Sequence, residues 1–240
     1  MQTADKVSDL LFYSGAILSF ATLLVDPKKQ PDLAEVLMLV FGVSVVVFFG
    51  VGLALRLYLT PRAEDRRRQD FFGNAYNVAL VHKATDGYYN NDAKEPIKRI
   101  AAQTIENSFF SKSISHRMLL WERGRVLVYV VLWLVLLFYR RTDLGWIVVT
   151  TQLVFSEQIV SKWARLELLH WRCEKTFEGL YRLMQTKMSA AQRDAQILEY
   201  LVAYETAKSN AAITMSSKIF DEMNASLSAE WDQIKSKIGL

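Results

Sequence analysis

Arg66, Arg67 and Arg68 place three guanidinium groups in succession. A run of this kind grips an anion such as phosphate through forked hydrogen bonds. It also serves as a topology signal and headgroup anchor beside a membrane helix. Tyr88 and Tyr89 are paired in a polar loop, Ala84 to Asp92. Their rings either stack on a base or pack beneath the loop. Glu157 is the one acid in the apolar stretch from Leu144 to Val160, and Thr150, Thr151 and Gln152 precede it. An ionisable group within a membrane segment is expensive and therefore a functional candidate.

Other chemistries find little support. The single cysteine, Cys173, excludes an intrachain disulfide. His82, His116 and His170 are scattered, with no pair at ligand spacing along the chain, so no metal site is expected. No Walker A loop, Rossmann glycine pattern, HExxH or GxSxG occurs, and no carboxylate pair stands at a catalytic spacing. The chain reads as a non-enzyme without cofactors.

The elements that position these residues follow from the apolar pattern. The 240 residues are 51% hydrophobic yet 22% charged, which fits a membrane part joined to a water-facing part. A membrane-crossing helix takes about 20 apolar residues. Leu10 to Val25 is uncharged between Asp9 and Asp26, and is expected to be a retained helix and not a cleaved signal. Val36 to Leu55 is uncharged between Glu35 and Arg56. The stretch from Asp26 to Asp32, with two prolines, joins them as a tight turn. Val126 to Tyr139 and Leu144 to Val160 form a weaker pair, which alternatively reads as a buried hairpin of a soluble domain. Tyr129 and Trp133 read as packing or interface aromatics.

The expected fold is an all-α integral membrane protein with four short transmembrane helices as two hairpins and a helical cytoplasmic region. Its parts are hairpin 1 (1–60), a cytoplasmic insert (61–120), hairpin 2 (121–160) and a helical tail (161–240). Lysine and arginine concentrate beside the insert and the tail, which places both termini in the cytoplasm. The net charge of +4 suits anionic headgroups or a nucleotide-like partner.

In the insert, Ile97, Ile100, Ala101, Thr104, Ile105 and Phe109 repeat at helical spacing as one buried face, with Lys98, Arg99, Gln103, Glu106 and Asn107 on the other. In the tail, a stalk continues the fourth helix to about Thr186. Ser189 to Gln192 then matches a capping box, opening a helix expected to bury Ala195, Leu198, Leu201 and Val202. Phe220, Met223, Leu227, Trp231, Ile234 and Ile238 form a last seam, for intrachain packing or for self-association.

Gly87-Tyr88-Tyr89-Asn90-Asn91 and Glu106-Asn107-Ser108-Phe109-Phe110-Ser111-Lys112, within this helix layout, resemble a bacterial family. It is that of the small four-transmembrane effectors encoded beside nucleotidyltransferases in anti-phage defence islands, such as the Hailong-type DNA-gated channel. The resemblance implies an oligomeric inner-membrane ion channel, a tetramer or similar. Its ligand would be a cytoplasmic nucleotide or single-stranded DNA oligomer made by a partner nucleotidyltransferase. A polyanion needs cations at its phosphates and accepts aromatic platforms. Arg66, Arg67, Arg68, Lys94, Lys98 and Arg99 are candidates for the first role. Tyr88 and Tyr89 are candidates for the second, with Asn90 and Asn91 as hydrogen-bonding groups. Thr151, Gln152, Ser156 and Glu157 are the pore candidates. Gln152 and Ser156, four apart, share a helix face, while Gln152 and Glu157 lie about 140° apart. The alternative function is a non-conducting membrane scaffold that recruits a partner through its tail.

Overall fold

The computed structural model describes residues 2–82, 93–139 and 143–239. Every regular element among them is helical: α1 (Gln2–Leu24), α2 (Pro31–Ala54), α3 (Thr60–Tyr76), α4 (Pro96–Phe138), α5 (Leu144–Val154), α6 (Lys162–Gln185), α7 (Ala190–Ala211) and α8 (Ser217–Ile238). A π-helical turn, Leu55–Leu59, joins α2 to α3, and a second, Glu157–Ser161, precedes α6. The chain divides into two compact units, Met1–Thr60 with Trp121–Ala164, and Pro61–Leu120 with Arg165–Leu240.

In the first unit, Asp26 shapes the turn between α1 and α2. Its carboxylate accepts from Lys28 N at 3.0 Å, and its carbonyl accepts from Lys29 N and Gln30 N. Pro31 then opens α2 with its fixed φ. Two helical stretches are long and apolar enough to cross a membrane, Asp5–Leu24 with 20 residues and Pro31–Tyr76 with 46. A core helix of a soluble protein would bury its apolar face, but the most apolar window of α2 buries nothing, and Leu39 and Val46 are 69% and 70% exposed. Exposed apolar surface on this scale marks a site for lipid or for another protein.

The second pair is shorter than the first. The apolar end of α4 begins only after Glu122, Arg123 and Arg125, and α5 has 11 residues, about half a bilayer crossing. Nor is the pair a hairpin buried within the chain, since Leu127, Val128, Leu132, Val135 and Val148 are exposed. The expected single helix from Leu144 to Val160 is broken. α5 stops at Val154, Phe155 turns, and Ser156 is extended with ψ 165° before the π turn begins. Neither glycine nor proline marks this break in the sequence.

The second unit packs α3, α4, α6, α7 and α8 around Phe71, Ile105, Phe109, Leu180, Leu201 and Trp231. The α4 face from Ile97 to Phe109 enters this core as the spacing predicts. Gln103 departs from expectation. It is fully buried, because its amide Nε2 donates to Asn74 Oδ1 and so meets a polar partner inside. The α7 phase is also corrected. Leu201 is buried, but Ala195, Leu198 and Val202 are exposed, and Ile197 and Tyr204 face inward instead. Ser189 caps α7 as expected by accepting from Gln192 N, while the Gln192 side chain bonds the serine hydroxyl. On α8, Leu227 and Trp231 are buried and Met223, Ile234 and Ile238 pack on the same core, so the seam is intrachain.

Gly73 permits the sharp exit from α3. Val78 N donates back to Gly73 O at 2.9 Å, and Asn77 takes a left-handed φ of 55°. A Cβ on Gly73 would stand 2.8 Å from the Val78 carbonyl oxygen, a backbone atom that cannot swing away. Gly73→Ala should therefore destabilise the second unit by about 1–3 kcal/mol. Urea unfolding of the detergent-solubilised chain, followed by circular dichroism, reads this as a lower midpoint. An unchanged midpoint would refute the close approach.

Candidate functional site

Two sets of residues come from the sequence, one in each unit, and the structure treats them differently. In the first unit, Thr150 and Thr151 turn their hydroxyls back onto α5, bonding Trp146 O and Ile147 O at 2.7 and 2.6 Å. Thr151 also accepts from Trp133 Nε1 at 2.7 Å, which ties α4 to α5 and uses Trp133 for packing. These hydroxyls are occupied locally. Gln152 is different. It lies exposed at an open groove of about 150 Å³ between α1, α2 and α5, otherwise lined mainly by Phe12, Phe41, Phe48 and leucine or valine side chains. Ser19 and Ser44 line the same groove.

Ser156 and Gln152 do not share a helix face, because the helix breaks between them. Ser156 Oγ is buried without a hydrogen-bond partner. Glu157 begins the π turn and pairs with Arg56 at 3.5 Å, both side chains more than half exposed. Arg56 itself sits in the other π turn, so the ion pair links the two irregular turns of this unit. The same end is fastened by Lys162 to Asp9 at 3.5 Å and by Gln158 Nε2 to Ser8 Oγ at 3.3 Å.

In the second unit, the cations fall into two groups. Arg67 is structural. It donates to Glu64 at 2.7 Å and to Glu205 on α7. Burial opposes its charge, but the bonds and charges of Glu205 and Glu64 outweigh burial and hold the guanidinium protonated more firmly than usual. Arg99 is structural too, with Nε donating to Ala93 O at 2.6 Å and Nη1 to Asn74 O at 3.2 Å. Arg68 and Lys98 make local pairs with Asp65 and Glu95, one turn away. Arg66 and Lys94 are exposed. Tyr88, Tyr89, Asn90 and Asn91 lie outside the described residues.

The chain matches no family model, no curated protein and no solved structure.

Sequence reasoning missed two features of the second unit. One is a buried polar group around Arg67. Lys208 lies beside it, and its ammonium is pushed down from the ordinary value by burial and then by Arg67. Tyr204 OH bonds Ser111 Oγ at 2.9 Å, while burial pushes the Cys173 thiol up to about 12. No spacing rule connects α3 to α7 across 138 positions. The other is Glu106. Burial raises its carboxyl to about 7, with Asp232 adding to the rise and Lys235 opposing it, both from α8. No group of three or more metal-ligating side chains occurs among the described residues.

Proposed function

We propose that this chain is a multi-pass membrane protein whose copies assemble into an ion-conducting path, acting as an effector of the anti-phage type and controlled by a polyanionic ligand. In this reading α1, α2, the apolar end of α4 and α5 make four crossings, the second two short, with the second unit in the cytoplasm. The supporting observation is the break at Phe155–Ser156, inside an apolar run. Irregular backbone at membrane depth is tolerated only where protein covers it or water reaches it. Phe155 is 54% exposed, and Glu157 beside it pairs with the exposed Arg56 at the end of α2, so this break calls for water or another copy rather than lipid. Gln152 in its apolar groove makes the same demand. Four helices enclose no water-filled lumen, so conduction requires several subunits.

The ligand would meet Arg66 and Lys94 first, with Arg68 and Lys98 releasing weak local pairs. Arg67 and Arg99 leave this set, because their donors already serve the fold. A specific observation keeps the scaffold alternative in view: Leu198 and Val202 on α7 are exposed.

The deciding experiment is ion flux through liposomes containing the purified full-length chain, with and without a short single-stranded DNA oligomer. Gln152→Leu and Glu157→Gln should each change flux by about tenfold or more, since polar groups on a conduction path control its barrier. Arg66→Gln with Lys94→Gln should weaken oligomer binding and lower its salt slope by about 0.7 per lost phosphate contact. A membrane-inserted chain that passes no current under any of these conditions would favour the scaffold.

A further inference from the structure

His116 on α4 and His170 on α6 are far apart in the sequence, yet their ring centroids stand 5.4 Å apart with planes at 42°. We infer that the pair is a two-histidine site for a late divalent transition ion such as Zn²⁺, Cu²⁺ or Ni²⁺, bridging α4 and α6 within the second unit.

The hydrogen bonds around His170 fix which of its nitrogens is open. Ser115 Oγ donates its one proton to Lys112 O at 3.0 Å. His170 Nδ1 lies 3.1 Å from Lys112 O and 3.1 Å from that hydroxyl oxygen. A carbonyl oxygen only accepts, so Nδ1 carries the proton and Nε2 carries the lone pair. Histidine metal ligands are oriented in this way, with the second ring nitrogen donating to a backbone carbonyl.

Distance supports one shared ion. With Zn–N of about 2.1 Å, each ring centroid lies roughly 3.2 Å from the metal, and a tetrahedral angle places two centroids about 5.2 Å apart. His116 is exposed, so its ring turns freely to present a nitrogen. Lys112, the nearby cation on α4, sits over the Phe177 ring at 4.3 Å. Imidazole donors select zinc, copper and nickel over magnesium and calcium. With only two protein ligands, a bound ion keeps water at its other positions.

The test uses the untagged full-length chain in detergent micelles, titrated with Cu²⁺ and, separately, with Zn²⁺. The expected result is one Cu²⁺ per chain, with nitrogen hyperfine splitting from two imidazoles in electron paramagnetic resonance, and a saturable rise in Tm with Zn²⁺. Because His116 is exposed, His116→Ala keeps the fold, and it should weaken binding at least tenfold and abolish the two-nitrogen signature. His82→Ala should bind as the parent does. Unchanged binding in His116→Ala, a one-nitrogen spectrum in the parent, or loss of binding in His82→Ala alone would overturn the site.

Discussion

Arg67→Ala unfolds the second unit at urea concentrations where the parent chain stays folded, while Arg66→Ala leaves the midpoint nearly unchanged. The two side chains are neighbours in sequence but not in energy. Arg67 is three-quarters covered and satisfies two carboxylates, Glu64 and Glu205, which are themselves only 20% and 13% exposed. Removing the cation leaves both acids poorly solvated beside one another. Breaking such a covered ion pair from one side costs about 3–5 kcal/mol, a large part of the stability of a small unit. Arg66 is exposed, and its loss should shift stability by no more than about 0.5 kcal/mol. Tyrosine and tryptophan fluorescence during urea titration in detergent compares them directly. Equal midpoints for Arg67→Ala and the parent would show that the Glu205 bond contributes nothing. The result matters for function as well. Neutralising the whole triplet would abolish the proposed ligand binding through unfolding and would be mistaken for a binding-site effect.

Glu106→Gln stabilises the second unit at pH 8 and leaves it unchanged at pH 4. Glutamate titrates near 4.5 in the unfolded chain and near 7 in the folded one, because burial disfavours the carboxylate. Between those values the folded state holds the extra proton. Stability is therefore full below about pH 4.5, falls as pH rises toward 7, and is flat above. One pKa unit corresponds to about 1.4 kcal/mol, and the partial exposure of the side chain reduces the total to about 2–3 kcal/mol. Glutamine keeps the size and removes the charge, so its stability should not change with pH through this window. Urea midpoints at pH 4, 6 and 8 give the curve. A parent chain as stable at pH 8 as at pH 5, with the variant following it, would remove the basis for the shift.

Local periodicity carried much of the second unit. The α4 face from Ile97 to Phe109 and the α8 seam from Met223 to Ile238 each gather their large apolar residues toward one side, so the phase of that side could be read. The helix α7 has apolar residues on two sides. Ala195, Leu198 and Val202 compete with Ile197, Leu201 and Tyr204, and only the neighbouring helices decide between them. That α1 and α2 are long and apolar enough to cross a membrane was legible, because length and apolar composition alone decide it. The break at Ser156 was not, since the residues around it carry no turn signal. Pairings across the fold were also hidden. Arg67 with Glu205, Arg56 with Glu157 and His116 with His170 are tertiary encounters between residues that look ordinary in their own segments.

The two π turns of the first unit fix chain length where hydropathy does not. Each holds one residue more than a regular helical turn needs, and Arg56 and Glu157 meet from within them. Deleting a single leucine between Leu55 and Leu59 would leave the segment as greasy as before. Where the leucine removed is Leu55, the loss would also turn the Arg56 backbone by roughly 100° about the helix axis and carry the guanidinium away from its carboxylate. Change in these turns should therefore come by substitution.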